Sequence, residues 1–463
     1  MLCECVLPGS EDPIRKVVHW QYQGTGRDAK RFFTAGGEVA ESEQRAFRLV
    51  CDSGQCAGVE DLLRAEGFAF RELPFSHLAR ELLSGPRPLG SSVAASFGWI
   101  YIQDRSSMLP PLCLDPGPGA GVLDLCASPG GKTGFLSQLV GPEGLVLANE
   151  PNPRRLWTLR QNLRGMNRCN TASCSYRGEA IPLRAASWAN ILVDAPCSGW
   201  GTVERHPRVA RLWQGDKVEP LISLQRRLLS AAAGLLTPGG RLVYSTCTTN
   251  VRENEEQVLW AEEELGLERV LLEPRPGFAY DSPLQGAAGC LRVVGGGETR
   301  AQGFFVAGLV KPCTEHGAGN GTGDDGQGWE ALPGRELNSP VLTAVQGLDP
   351  GNLPPGRVQA FGDRVFFLHR VTRFMLPHDF SWQGYPLGRL QAGSFRPDPL
   401  ARLLLPHGQT APGLHLDSVE QVRALLSGQS LTLDAPPECA GLYWKDLPLG
   451  WLTVKGRRVL WGR

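Results

Sequence analysis

The chain has no net charge to offer a partner: its 47 Lys and Arg are matched by 47 Asp and Glu. A uniformly basic surface is excluded, so any attraction for nucleic acid has to be local. The chain also lacks a run of the roughly 20 apolar residues that a membrane helix needs. The longest candidate, around Leu228 to Leu236, carries Arg226 and Arg227 beside it, and no membrane partner is expected. Between Met1 and Asp12 no basic stretch leads into an apolar block, so no secretory signal is read and a cytoplasmic location is expected. The thirteen Cys should then be reduced and mostly buried. Cys3, Cys5, Cys51 and Cys56 lack the paired spacing of a structural zinc site, and no metal is expected. There is no internal repeat, and a monomer is the default.

At 463 residues there is room for about two to four domains. Apolar residues make up 42% and charged residues 20%, as in ordinary globular proteins. Residues 1–95 show no clean periodicity beyond a helical stretch near Val59 to Arg64. Across 96–312, apolar runs bounded by Gly, Pro or Asp recur at Gly121 to Leu125, Gly144 to Ala148, Asn190 to Val193 and Arg241 to Tyr244. Helical patterns separate them, clearest at Leu156 to Met166 and Ile222 to Leu236. That alternation predicts an α/β domain with a mostly parallel sheet covered on both faces. A Gly-rich linker at 313–338 leads to a small, mainly β module at 339–463, with runs such as Arg364 to Leu368 and Trp451 to Val454.

Val122-Leu123-Asp124-Leu125 runs into Cys126-Ala127-Ser128-Pro129-Gly130-Gly131-Lys132-Thr133, and a helical pattern follows from Phe135. A strand, a Gly-rich turn and a helix start present backbone N–H groups to a polar or anionic ligand. Glu150, twenty residues after Gly130, closes the next strand and is placed to accept hydrogen bonds from ribose hydroxyls. Taken alone, the loop is equally well a tight turn beside a surface acid. A phosphate-binding loop would need Gly where this chain has Cys126, and the three spaced glycines of a dinucleotide loop are missing. A nucleoside cofactor without a phosphate chain fits better.

Two further strands end in cysteine-containing turns, Asp194-Ala195-Pro196-Cys197-Ser198-Gly199 and Ser245-Thr246-Cys247-Thr248. Ligands bind at the carboxyl ends of open parallel sheets. One strand-end Cys is more often structural, but two in polar turns suit methylation of an unactivated pyrimidine carbon. A thiolate adds to carbon 6, and carbon 5 becomes nucleophilic enough to take a methyl group. The attacking Cys needs surroundings that favour thiolate. A helix pattern beginning near Glu253 would help Cys247 if the turn is short. Asp194 is placed to hydrogen-bond the base and share its proton, or merely to cap a turn.

These residues resemble the Nop/Sun family of RNA cytosine-5 methyltransferases across roughly Trp99 to Lys311. Four signatures occur in order: Ile102-Gln103-Asp104-Arg105-Ser106-Ser107-Met108, Pro129-Gly130-Gly131-Lys132-Thr133, Asp194-Ala195-Pro196-Cys197-Ser198-Gly199, and Ser245-Thr246-Cys247-Thr248 followed by Glu253-Asn254-Glu255. The resemblance implies a Rossmann-like class I methyltransferase domain using S-adenosylmethionine. It makes Cys247 the nucleophile and Cys197 the residue that assists breakdown of the adduct. It places Cys126, Ala127, Ser128, Pro129, Gly130, Gly131, Lys132, Glu150 and Asp194 around the cofactor. DNA enzymes place the nucleophile in a Pro-Cys pair, which would nominate Cys197 instead.

Gly384-Tyr385-Pro386-Leu387-Gly388-Arg389, Phe395-Arg396-Pro397 and the stretch from Ala440 to Trp451 look like the tail of RsmF-type enzymes, which implies a PUA-like RNA-binding module and favours small-subunit ribosomal RNA over transfer RNA. Tyr443, Trp444 and Trp451 beside Lys445, Lys455, Arg457 and Arg458 would contact RNA or, equally, form the module's core. Arg154, Arg155, Arg160, Arg164 and Arg168, with Arg205, Arg208 and Arg211, offer local basic surface. Two departures stand out. Phe47-Arg48-Leu49-Val50-Cys51-Asp52 lacks the family's Arg-x-Asn segment, and no acid stands at Tyr176-Arg177-Gly178 to hold the adenine side of the cofactor. A catalytically idle RNA-binding assembly factor and a DNA methyltransferase are the alternatives.

Overall fold

The computed structural model describes residues 45–202, 215–284, 286–297, 299–313, 334–408, 410–435 and 437–462. Cys3, Cys5, Arg205, Arg208, Arg211 and most of the expected linker lie outside them. Among the described residues no helix is long and apolar enough to cross a membrane.

A four-stranded antiparallel sheet comes first, built from β1 (Ala46–Leu49), β2 (Ala69–Leu73), β3 (Ser76–Ser84) and β4 (Ile100–Ile102) in the order β2-β3-β1-β4. The helix Cys56–Ala65 covers it, burying Val59, Leu62 and Leu63 at the three- and four-residue spacing of one helical stripe.

The central sheet holds β5 (Gly121–Asp124), β6 (Leu145–Asn149), β7 (Thr171–Cys174), β8 (Trp188–Asp194) and β9 (Leu236–Thr246), followed by β10 (Glu268–Val270), β11 (Tyr280–Asp281), β12 (Leu291–Val293) and β13 (Phe304–Val310). Its order runs β11-β12-β13-β9-β8-β5-β6-β7, parallel from β7 to β9 and antiparallel at β13. Val122, Leu123, Val146, Leu147, Ile191 and Leu192 are fully buried because helices cover both faces, which is why these strands read as continuous apolar runs. From β5 the chain steps to β6 and β7 on one side, and later to β8 and β9 on the other. The switch point lies between β5 and β8, and the crevice outside their carboxyl ends is where ligands of such sheets bind. The architecture is the expected Rossmann-like α/β domain.

Three details differ from the sequence reading. β9 begins at Leu236 rather than Arg241, since Leu236 pairs with Trp188 across a bulge that absorbs Pro238-Gly239. The helix after the loop is Gly131–Leu139, starting before Phe135, because Gly130 takes the left-handed conformation (φ 107°) that opens it. β7, Thr-Ala-Ser-Cys, is fully buried despite its polar composition.

The C-terminal part is strand-rich, as expected. One antiparallel sheet uses 335–336, 356–361, 364–369, 385–391 and 394–397; two three-stranded sheets follow within 414–460. This part is not set apart from the rest. Trp382–Gln383 pairs antiparallel with β7, covering an otherwise bare edge. Leu442, Trp444, Leu449 and Trp461 share one core with Phe47, Leu62, Phe97 and Trp99 of the N-terminal part.

Candidate active site

The Gly-rich loop is held open by its neighbours. Ala127 N donates to Asn149 O (3.0 Å), while Asn149 Nδ2 donates to Leu125 O (3.1 Å) and Tyr176 O (2.9 Å), tying the ends of β5, β6 and β7 together. Arg155 Nη2 donates to Ser128 O (3.0 Å), Ser128 Oγ to Arg155 O (3.1 Å), and Asn162 Nδ2 to Pro129 O (2.8 Å). A Cβ on Gly131 would lie 2.6 Å from Gln103 Oε1 and 2.7 Å from the Tyr101 ring, so the close approach of this loop requires glycine. Cys126 is half-buried at the start of the loop.

Two acids border it. Glu150, buried at the end of β6, accepts from Asn152 N (2.8 Å) and faces Arg155 Nη1 at 3.4 Å. Burial raises its carboxyl pKa, and Arg155 and the Asn152 N–H oppose the rise. Asp124 is fully buried at the end of β5; Thr133 Oγ1 donates to its Oδ2 (2.7 Å), and its Oδ1 has no partner. Burial pushes its carboxyl up to about 7.

Asp194, at the end of β8, meets Lys132 from the loop: Nζ and Oδ2 are 2.7 Å apart, and Ser245 Oγ donates to Oδ1 (2.8 Å). The next turns bring the thiols together, with Cys197 Sγ 3.1 Å from Cys247 Sγ. Cys197 is buried and Cys247 half-exposed. The hydrogen bond to Cys247 and then burial raise the Cys197 thiol pKa well above the ordinary thiol range, so Cys197 keeps its proton. Gly201 lies against the Cys247 backbone; a Cβ there would stand 2.0 Å from Gly303 O and 2.9 Å from Cys247 O.

Beneath the thiols sits a residue to which the sequence reading gave no role. Glu253, fully buried, accepts from Ser198 N (2.9 Å), Ser198 Oγ (2.5 Å), Gln225 Nε2 (3.1 Å) and Asn250 Nδ2 (3.1 Å). It fixes the loop that carries Cys197. In the sequence it stands out only as part of the Glu253-Asn254-Glu255 signature and of a helix start, neither of which says what its carboxylate holds. The helix itself is Glu255–Leu265 with acids in its first turn, so the electrostatic help expected for Cys247 from a helix at Glu253 is not provided. Asp124 and Gln103 were missed as well. The Gln103 amide is buried beside Gly131 with neither polar atom partnered. At the position where no acid was found, Glu179 follows β7 in a short turn and pairs with Arg177 (2.6 Å).

Several expected surface groups are spent internally. Arg155 holds the loop, Arg164 pairs with Asp398 (2.6 Å), and Arg168 donates to Ser137. Trp444, Trp451 and Tyr443 are core: Trp451 Nε1 donates to Ala401 O (2.8 Å), and Tyr443 stacks on His415. Their rings are unavailable to an outside partner, which corrects the first of the two readings above.

Residues 111–310 match the family model described as 16S rRNA methyltransferase RsmB/F. Among curated proteins, ribosomal RNA small subunit methyltransferase F of Shewanella loihica is 33% identical over 257 residues, 54% of this chain and 53% of that protein. The protein of the same name from Shewanella amazonensis is 41% identical over 172 residues, 36% and 37% of the two chains. The chain thus spans about half or less of the length of these relatives. Among solved structures, that of PH0851 superposes with a TM-score of 0.52 at 27% identity, over 64% of this chain and 65% of that one. That of NSun6 from Pyrococcus horikoshii with SFG gives 0.50 at 20% identity, over 58% and 91%, a likeness of fold. With its strand order, glycine loop and paired strand-end thiols, the α/β domain of this chain is similar to the RsmB/F methyltransferases over residues 111–310.

Proposed function

We propose that the protein methylates carbon 5 of a cytosine in RNA, small-subunit ribosomal RNA foremost, through a covalent adduct on Cys247. The observation that carries this reading is the pair of thiols 3.1 Å apart at the ends of β8 and β9, beside the Lys132–Asp194 pair. Residues at the loop fit S-adenosylmethionine: Asp124 Oδ1 and the Gln103 amide are buried polar atoms awaiting a partner, Gly130 and Gly131 bare the backbone, and Glu150 stands at the end of β6. Cys126, Ala127, Ser128, Pro129 and Lys132 complete that wall. When bound, the cofactor supplies an electrophilic methyl group.

Cys247 is the accessible thiol of the pair, so it is the one that adds to carbon 6. Asp194, held by Lys132 and Ser245, hydrogen-bonds the polar edge of the base and shares the proton that addition delivers to the ring. Carbon 5, now nucleophilic, takes the methyl group. As the carbon–sulfur bond breaks, Cys197 passes its proton to the Cys247 sulfur and is reprotonated by the proton lost from carbon 5, while the ring proton returns to Asp194. Transfer of labelled methyl to unmodified ribosomal and transfer RNA tests this. The parent should place label in 5-methylcytosine, Cys247→Ala should place none, and Cys197→Ala should accumulate a protein–RNA adduct. Label elsewhere on the RNA, or survival of transfer in Cys247→Ala, overturns the reading.

A further inference from the structure

The buried aromatics of the C-terminal part leave the question of which surface would hold the rest of an RNA chain. The exposed ring of Trp157, 64% accessible on the helix Pro153–Gly165, is one of few large exposed hydrophobics among the described residues. It lines a groove of about 1040 Å³ between that helix and the antiparallel sheet of 356–397. A second cavity of about 600 Å³ adjoins it, and the two share Arg160, Arg364, Phe366 and Gln383.

The opposite wall carries an unusual row. Arg364 is the cross-strand partner of Arg389, and Arg389 that of Arg396. Direct partners on antiparallel strands point to the same face about 5 Å apart. Like charges in that relation repel and are destabilising, yet the row is hardly neutralised. Arg389 has Asp363 at 3.7 Å, an exposed pair of little worth. Arg364 and Arg396 have no carboxylate partner among the described residues, and the groove's other acid, Asp398, is occupied by Arg164. Three adjacent guanidinium groups facing an exposed indole across a groove match a polyanion that also carries flat apolar rings.

We infer that this groove binds a single-stranded stretch of RNA, with the Arg364–Arg389–Arg396 row on consecutive phosphates and Trp157 stacked on a base. The inference rests on the reading that the protein acts on RNA. It describes a second contact, because the groove follows the β7 edge, where Gln383 pairs with Ser173, while the thiols lie at the ends of β8 and β9. Sequence-tolerant stacking and backbone gripping are how single strands are held, whereas a duplex hides its ring faces.

The test is the affinity of the full chain for a mixed-sequence single-stranded oligoribonucleotide across a salt series, with a duplex of the same length as competitor. Trp157→Ala should weaken binding about 5- to 100-fold with the salt slope retained. Arg364→Gln/Arg389→Gln/Arg396→Gln should weaken it and lower the slope of log K against log salt by about 2. Thermal melts of each variant verify folding, and Trp157→Phe, which keeps a ring, should recover most of the loss. Affinities within twofold of the parent, or a duplex that competes as well as the single strand, overturn the groove. If the parent methylates RNA while the variants bind normally, the groove alone fails. If the variants lose binding but the parent transfers no methyl, the groove stands and the proposed activity fails. A parent that binds no RNA overturns both.

Discussion

At the residue scale, the sharpest consequence concerns Asp124. An acid whose folded-state pKa is raised makes folding proton-dependent in one direction only. Its stabilising contribution is complete below the unfolded-state value of about 4 and is lost as pH rises to the folded value. With the Asp124 carboxyl at about 7, that window runs from about pH 4 to pH 7. The parent should therefore lose about 3 kcal/mol between pH 5 and pH 8 that Asp124→Asn does not lose. Urea unfolding of both proteins at the two pH values reads the difference directly, and parallel profiles would remove the raised pKa. The residue also shows what sequence could and could not reveal. Cys197, Cys247, Asp194 and Glu150 were legible because strand-end turns expose them as polar punctuation in apolar runs. Asp124 lies inside such a run, and its importance comes from complete burial and a bare oxygen, which only packing decides. Glu253 was hidden for the same reason, since its four donors come from three separate segments.

At the scale of elements, β5, β6 and β8 were legible as short apolar runs bounded by Gly, Pro or Asp, and the helices Pro153–Gly165 and Glu219–Leu235 by their own periodicity. β7 and the N-terminal strands were not, because their residues are buried by neighbours distant in sequence. Arg402 is the extreme case, an unremarked residue that binds three elements into one. Fully buried, it donates to Phe97 O (2.5 Å), Gly98 O (3.2 Å) and Gly165 O (3.2 Å), and its guanidinium lies 3.9 Å from the Trp99 ring centre. Burial lowers its pKa to about 9, still charged at neutral pH. Removing it leaves the Phe97 and Gly98 carbonyls without donors, each costing about 1 to 3 kcal/mol, while Gly165 O keeps Asn167 Nδ2. Arg402→Met should thus lower unfolding free energy by at least about 2 kcal/mol in denaturant titration. Arg402→Lys should recover little, because a single ammonium cannot fork among carbonyls that lie in different directions. A loss under about 1 kcal/mol would mean that water replaces the side chain and the clamp is dispensable.

At the scale of the molecule, the composition that suggested a separable C-terminal module is at odds with how the cores are shared. The strand-rich part has its own cluster around Val358, Phe367 and Leu387, but Leu442, Trp444, Leu449 and Trp461 pack with the N-terminal sheet. Trp99 Nε1 donates to Pro448 O (3.1 Å), Phe97 meets Trp461 edge to face, and Trp382–Gln383 caps β7. A chain ended at residue 312 would keep every residue of the proposed active site yet uncover the N-terminal core and the sheet edge together. Each large apolar side chain so uncovered forfeits about 1.5 to 3 kcal/mol, and four or five of them equal the whole net stability of an ordinary domain, about 5 to 15 kcal/mol. The truncated protein should elute as an aggregate and lose its near-ultraviolet dichroism, even though residues 111–310, the span of the family match, are intact. A monomeric, cooperatively melting fragment would show instead that the α/β domain folds alone. The C-terminal part would then act on substrate geometry rather than on the fold.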